Sequence, residues 1–298
     1  MQNLKLPVSR GHALLRRGEA YWYQGHMTEA APLLEQVLEF MRLASPLDVE
    51  PQEYQADTLC IQGSIAVRMG KYSEAIACYK SSLHLSRALQ DAYRESRAVH
   101  SLGTTFRNQG HFGEARNYLE QGLQISRQVG DLHSESRSLN SLGDVAYYLG
   151  GYTEAQRHFE QVREIAVQLG DRRSQSIAVT NLGIIARDLG AYHQAKELLA
   201  QGLYLAGEIG FRRGEAWALV CLSLLLHQEQ KESAALEFGQ QGLRLFRELS
   251  DDVGQAYAWT EIGHAFAGLE QWEDAQAAYH QALTMRRALS QPHLAMEV

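Results

Sequence analysis

The sequence has few of the features that exported and membrane proteins require. Only three of its 298 residues are cysteine, and Cys60, Cys78 and Cys221 form neither a CxxC pair nor a metal-ligand spacing. So sparse a set indicates reduced thiols in a cytoplasm rather than a disulfide framework. The longest nearly apolar stretch, residues 216–226, is too short to span a bilayer, and the first residues lack the apolar segment of an export signal. We therefore expect a cytoplasmic protein without a membrane span.

Proline and positive charge are also scarce. Five prolines in the whole chain argue against long linkers and against β-rich architectures with many turns. The formal net charge is −7 and the isoelectric point is about 6.0, so the chain lacks the basic excess with which proteins bind nucleic acid. Nucleic acid is therefore not an expected partner.

Motifs that carry catalysis are absent as well. Gly70 and Lys71 resemble part of a phosphate-binding loop, but six residues separate Gly63 from Gly70, and Tyr72 follows the lysine. A phosphate-binding loop requires four residues in that gap and serine or threonine after the lysine. The twelve histidines are scattered without evident ligand spacing. The sequence predicts no catalytic residue, no metal site and no cofactor.

What the chain does contain is an internal repeat of 40 residues. A glycine, called the lattice glycine below, recurs at positions 63, 103, 143, 183 and 263, with Ser223 in the remaining place. Seven residues later comes a second glycine in four of these repeats, and two residues further an aromatic residue in five. An alanine follows without exception, at Ala75, Ala115, Ala155, Ala195, Ala235 and Ala275. The same pattern occurs once before residue 51, displaced by five extra residues that we expect to form a loop with Pro46 and Pro51.

Each repeat is predicted to be two helices joined by a glycine turn. Acidic residues such as Glu74 stand in the first turn of the second helix, where the helix dipole favours them. Between repeats, Gly130 and Gly170 suit left-handed helix ends, and the aspartates that follow them suit helix N-caps. Asp91 and Asp251 keep the cap without the glycine. No strand pattern of comparable length competes.

The pattern L-G-x-x-x-x-x-x-G-x-[YF]-x-x-A resembles the tetratricopeptide repeat, in a variant with helices longer than the usual 34-residue unit allows. The resemblance implies an all-α fold, a single right-handed α-solenoid of helix-turn-helix repeats over residues 1–298. Seven repeats lie near residues 11–42, 51–90, 91–130, 131–170, 171–210, 211–250 and 251–290, and residues 291–298 are the truncated start of an eighth.

The stretch LGDRRSQSIAVTNLGIIARDLGAYHQA resembles the C-terminal arrays of bacterial signal-transduction ATPases with numerous domains (STAND), and related long repeats occur in kinesin light chains and G-protein regulators. This resemblance implies a non-enzymatic sensor that binds a protein or peptide in its concave groove. The alternative is a free-standing scaffold that joins protein partners.

The family resemblance also implies which residues face the groove. They lie six and three residues before the lattice glycine and one, four and five after it, on the first helix of each repeat. The resulting candidate site consists of Arg97, His100, Arg107, Arg137, Asn140, Asp144, Tyr147, Tyr148, Arg187 and Trp217. Arginine and tyrosine in this combination suit an acidic peptide or a small anionic ligand. The alternative is that the groove arginines pair with neighbouring acids and only solvate the surface.

Two further features of the repeats lead to predictions. The sixth repeat departs from the pattern at Ser223, Gln230, Glu232 and Gly239, which indicates either a hinge or drift in a tolerant array. The chain ends without the polar capping helix that a solenoid requires. We therefore expect a fragment of a longer protein, whose last repeat exposes apolar surface and permits self-association.

Overall fold

The computed structural model of the protein describes residues 49–288 and, before them, residues 14, 17, 32, 33 and 36. The predicted first repeat, near residues 11–42, and the predicted start of an eighth, residues 291–298, lie outside residues 49–288. Throughout residues 49–288 the secondary structure is helical and contains no strand, so the all-α class is confirmed there. The helices are α1 (Val49–Arg68), α2 (Tyr72–Ala88), α3 (Ala92–Asn108), α4 (Phe112–Val129), α5 (Leu132–Tyr148), α6 (Tyr152–Leu169), α7 (Arg172–Asp188), α8 (Tyr192–Glu208), α9 (Arg212–Gln228), α10 (Glu232–Glu248), α11 (Asp252–Gly268) and α12 (Trp272–Ala288).

These helices form six helix-turn-helix repeats in the predicted register, and the chain divides into two compact units. The first unit is residues 1–138 and the second is residues 139–298. Within the first unit each of the helices α1–α3 packs on the next, and within the second unit each of the helices α8–α12 packs on the one before it. The handedness and the continuity of one solenoid over residues 1–298 stay predictions.

Two kinds of cap lie at the helix ends, left-handed glycines at C-termini and aspartate side chains at N-termini, as the sequence predicted. The backbone at Gly70, Gly130 and Gly170 is left-handed, with φ between 67° and 72°. Each of these residues ends a helix in a conformation that glycine adopts without steric cost. At the N-termini the side chains of Asp131 and Asp171 accept a hydrogen bond from the backbone N–H three residues on. These bonds satisfy amide groups that have no partner inside the helix.

The prediction that Pro51 lies in a loop is wrong. Helix α1 begins at Val49, so Pro51 lies in its first turn and not in a loop. Proline is tolerated there because the first-turn amides have no carbonyl to bond within the helix, and its fixed φ suits the helical backbone.

The lattice glycine is required because the two helices of a repeat touch there. A Cβ atom on Gly143 would lie 2.6 Å from the ring of Phe159, and one on Gly183 would lie 2.8 Å from Leu199. The recurring alanine completes the contact from the second helix, and in all six repeats its exposed fraction is at most 3%. A small residue on one side and a large residue on the other thus determine the packing in five of the six described repeats.

The sixth repeat reverses this arrangement. Ser223 stands in place of the lattice glycine, and its Oγ donates a 2.7 Å hydrogen bond to the buried carbonyl of Ala235. The large residue opposite is replaced by Gly239, where a Cβ would lie only 3.1 Å from Ser223 Oγ. The two departures compensate each other, because the glycine provides the room that the serine side chain needs.

None of the helices in the described part of the chain is both long enough and apolar enough to cross a membrane.

Candidate ligand-binding surface

The ten predicted groove residues lie on α3, α5, α7 and α9, which are first helices of their repeats. In each unit, we call the surface formed by the first helices the first-helix face. Hydrogen bonds between neighbouring first helices join residues that are 37, 40 or 41 positions apart in the chain. These separations are close to one repeat, so each such bond ties a residue to its near-equivalent in the next repeat.

On the first unit, Arg97 is held by an acidic residue of the preceding repeat. Arg97 Nη1 lies 2.9 Å from Asp57 Oδ1, while Arg94 Nη2 lies 3.0 Å from Asp57 Oδ2. Arg94 also contacts Asp91, the N-cap residue of α3. Asp57 therefore accepts from two guanidinium groups at once and ties α1 to α3.

The next junction of the first unit places a histidine among arginines. Arg137 Nη2 lies 3.2 Å from His100 Nδ1, and burial, reinforced by the positive charges of Arg137 and Arg107, lowers the pKa of His100 to about 3. A guanidinium can only donate, so Nδ1 accepts and the neutral ring carries its proton on Nε2. Arg107 lies beside Asn108, whose Oδ1 accepts from it at 3.4 Å. Two guanidinium groups and a neutral imidazole therefore meet here.

On the second unit a hydroxyl and a carboxylate join α5 to α7. Tyr147 Oη donates a 2.7 Å hydrogen bond to Asp188 Oδ2. Burial, together with this bond and the charge of Asp188, raises the pKa of Tyr147, so the phenol stays protonated. Arg187 is 8% exposed and lies 2.6 Å from Asp188 Oδ1. Asn140 and Asn181 approach each other at 3.5 Å between the same two helices.

The remaining predicted residues of the second unit differ in exposure. The ring of Tyr148 is 43% exposed and meets Tyr147 edge-on, with 5.7 Å between the ring centroids. Asp144 is half-buried on α5. Trp217 is also half-buried, and its ring packs edge-on against Phe246 at 5.3 Å and against Tyr257 at 5.1 Å.

Of the ten predicted residues, the structure brings His100, Arg107 and Arg137 together. It holds Arg97 and Arg187 in ion pairs with Asp57 and Asp188, which is the alternative that the sequence left open for the groove arginines. Sequence reasoning missed Arg94 and Asn181, which lie outside the five groove positions. A search for complementary side chains separated by about one repeat would have found both.

Groups of three or more histidine, cysteine, aspartate or glutamate side chains placed to hold a metal ion are absent from the residues that the structure describes. The thiols of Cys60 and Cys221 are also unsuited to nucleophilic chemistry, because burial raises the pKa of Cys60 and raises that of Cys221 to about 12. What this surface can do chemically is form hydrogen bonds, ion pairs and aromatic contacts.

Several solved structures share the fold. Aspartyl phosphate phosphatase F from Bacillus subtilis is 12% identical, with a TM-score of 0.79 over 96% of this chain and 72% of that one. A Rap protein complexed with competence and sporulation factor is 14% identical, with a TM-score of 0.67 over 97% and 99% of the two chains. A STAND protein with a tetratricopeptide repeat sensor, from Pyrococcus horikoshii, is also 14% identical, with a TM-score of 0.67 over 96% of this chain and 44% of that one.

No curated protein matches the sequence. Profiles of one family do match it: tetratricopeptide repeat profiles cover residues 12–39, 54–128 and 134–206, together more than half of the chain. The repeat period, the paired helices and the small residues at their contacts agree with that match. The chain belongs to the tetratricopeptide repeat family.

Proposed function

We propose that this chain is a recognition module that binds a protein or peptide on its first-helix faces, and that it is the sensor domain of a STAND-type signalling ATPase. Tetratricopeptide repeats build protein-interaction scaffolds, and the STAND sensor structure supports the finer assignment. No catalytic role is part of the proposal.

The observation that carries the proposal is the donor cluster formed by His100, Arg107 and Arg137. Its neutral imidazole donates from Nε2, and the guanidinium groups add further donors and positive charge. Carboxylates and phosphates only accept hydrogen bonds, and arginine binds them in a forked geometry. The expected ligand is therefore an acidic peptide or a small anion that places one acceptor group at this cluster.

The experiment measures the binding of acidic, neutral and basic peptide pools to the intact chain and to two variants. Arg137→Ala should weaken capture of the acidic pool about tenfold or more, because a hydrogen bond to a charged partner contributes about 1.5–3 kcal/mol. Arg157→Ala is the matched control, since Arg157 is exposed on the second helix α6. If Arg137→Ala and the parent chain captured the acidic pool equally well, the proposal of an anionic ligand would be wrong.

A specific observation favours a second candidate, the free-standing scaffold. The Rap protein bound to competence and sporulation factor matches over 97% of this chain and 99% of its own length, whereas the STAND structure extends well beyond its match. Sequencing the gene on both sides of the segment that encodes this chain distinguishes the two candidate functions. An adjoining ATPase domain supports the sensor, and an isolated repeat array supports the scaffold.

Self-association through the C-terminal end is a further proposal. It is motivated by the exposed apolar surface of the last described helix, α12, where Trp272 is 66% exposed. Light scattering at increasing protein concentration tests it, and a constant monomer mass would exclude it.

A further inference from the structure

The sixth and seventh repeats contain a histidine pair that the proposed function does not use. His227 on α9 and His264 on α11 stack with 5.5 Å between their ring centroids and 15° between their planes. Both residues occupy first-helix positions that no other described repeat fills with histidine. The sequence showed no ligand spacing here because the two residues come from different repeats.

A carboxylate holds each of these rings at the same atom. His227 Nδ1 lies 2.8 Å from Glu232 Oε2, and His264 Nδ1 lies 3.1 Å from Glu261 Oε2. An ionised carboxylate only accepts hydrogen bonds, so each Nδ1 carries a hydrogen atom and is the hydrogen-bond donor. In a neutral ring the lone pair is then on Nε2. Histidines that bind metals almost always donate their other ring N–H to a carboxylate, a carbonyl or water in this way.

The cluster depends on coordinated departures from the repeat pattern. Glu232 stands where the other described repeats have an aromatic residue, and its carboxylate lies against Gly268. A Cβ at position 268 would come within 2.2 Å of Glu232 Cδ, so the glycine provides the space that the carboxylate occupies. Independent drift gives no reason for the histidines, the glutamate and the glycine to occur together, whereas a shared site does.

The dimensions of the pair suit a shared metal ion. A metal bonded to Nε2 at about 2.0–2.1 Å lies about 3.2 Å from the ring centroid, so two rings that share one metal are at most about 6.4 Å apart. The observed 5.5 Å lies inside this limit. Each lone pair lies in its ring plane, so the two near-parallel rings must turn toward each other to share one ion. Both side chains are about one-third exposed, at 31% and 34%, so an ion can reach them from solvent.

We propose that His227 and His264 bind one late first-row divalent metal ion, such as Zn²⁺, Ni²⁺ or Cu²⁺, through their Nε2 atoms. Imidazole nitrogen is a preferred ligand of these ions. Glu232 and Glu261 stay in the second coordination sphere and orient the rings. The described residues supply no set of three ligands, so water or a bound partner completes the coordination.

The test titrates the intact chain with Zn²⁺, Ni²⁺ or Cu²⁺ alone, near neutral pH, by calorimetry. The expected result is saturable binding of one ion, weakened at least tenfold by His227→Gln and by His264→Gln. His193→Gln is the matched control, because His193 is 92% exposed and faces a glutamate but no second histidine. Unchanged affinity in both site variants, or no saturable binding by the parent chain, would overturn the proposal.

Two more measurements separate ligation from a structural effect. Glu232→Gln and Glu261→Gln should each weaken binding about 10–100-fold, the usual cost of losing an outer-sphere partner, while circular dichroism shows an unchanged helix content. Binding should also weaken as the pH falls, because protons compete with the metal ion for the imidazole nitrogens. Affinity that is independent of pH, or equal in the glutamate variants, would contradict coordination through Nε2.

Discussion

The first-helix faces of the two units occupy the same repeat positions but are held together by different chemistry. In the first unit, charge joins successive repeats, through Asp57 with Arg97 and through Arg137 with His100. In the second unit, successive repeats are joined by the ring contact between Trp217 and Tyr257 and by the hydrogen bond from the Tyr147 hydroxyl to Asp188.

This difference shows that the face does not determine the fold. Packing between the helices of a repeat depends on the lattice glycine and the buried alanine, which both units share. Residues on the first-helix face can therefore vary without loss of the fold. The two units should also respond differently to truncation, pH and salt. Because repeat arrays unfold locally, these responses are best measured by hydrogen exchange in individual helices.

The largest effect is expected from Trp217→Ala in the second unit. The change removes ring contacts with Phe246 and Tyr257 and should lower the local free energy of unfolding by about 3 kcal/mol, the low end for truncating a tryptophan. Exchange in α9–α11 measures it. Trp272→Ala is the control, because Trp272 is 66% exposed and should cost below about 0.5 kcal/mol. Equal effects would mean that Trp217 belongs to the binding surface and not to the core.

The next effect is expected from Tyr147→Phe, which removes one hydroxyl and leaves the ring. Loss of the bond to Asp188 should cost about 1.5–2 kcal/mol, since its acceptor is charged and partly buried. Exchange in α5 and α7 measures it. Tyr204→Phe removes an equivalent bond to a glutamate from a ring that is 63% exposed, and there the cost should be small. If the two substitutions lowered the free energy of unfolding by similar amounts, burial would not make the Tyr147 hydrogen bond stronger than that of Tyr204.

Most of the fold could be predicted from the sequence because small residues recur where helices touch. A glycine at five of the six described lattice positions and an alanine twelve residues later in all six leave one way to pack the pair. The compensation between Ser223 and Gly239 could not be predicted as such. Each change alone indicates weaker packing, and only their contact shows that one offsets the other.

The candidate site was only partly predictable. The repeat period locates a face, but it does not say whether an arginine on that face pairs internally. Arg187 is bonded to its sequence neighbour Asp188, although adjacent residues on a helix do not normally face each other. Arg97 and Asp57 occupy equivalent positions one repeat apart, so their pairing emerges only when neighbouring repeats are compared with each other.

A smaller effect is expected from pH, and it should be confined to the first unit. The pKa of His100 falls to about 3 in the folded chain, whereas an unfolded histidine titrates near 6.5. Between these values the unfolded state binds the extra proton, so stability falls as the pH falls from about 6.5 towards 3.

Allowing for its partial exposure, His100 should make α3 about 1 kcal/mol less stable at about pH 5 than at about pH 7. Exchange in α3 measures the difference, and His100→Gln should remove it. His84→Gln, a change at an exposed residue of α2, serves as the control and should leave the difference in place. The same pH response in α9 would remove the contrast between the two units.

The smallest effect is expected from salt, and it tests whether charge joins α1 to α3. Asp57 accepts from Arg94 and Arg97 on side chains that remain 17–29% exposed, so added ions screen the pairs only in part. Raising the salt concentration about tenfold should lower the stability of α1 and α3 by about 0.5 kcal/mol, the scale of a partly exposed ion pair. Asp57→Asn removes the negative charge at nearly constant volume and should reduce this salt response, while the pairs of Arg94 with Glu53 and Asp91 remain. Helices α9–α11 are joined at Trp217 and Tyr257 by ring contacts, and the arginines of their ion pairs at Arg212 and Arg213 are 50–55% exposed. Their loss should therefore be smaller, because exposed pairs contribute little and screening does not weaken apolar burial. A salt response that is undiminished in Asp57→Asn, or equally large in α9–α11, would show that charge does not distinguish the two faces.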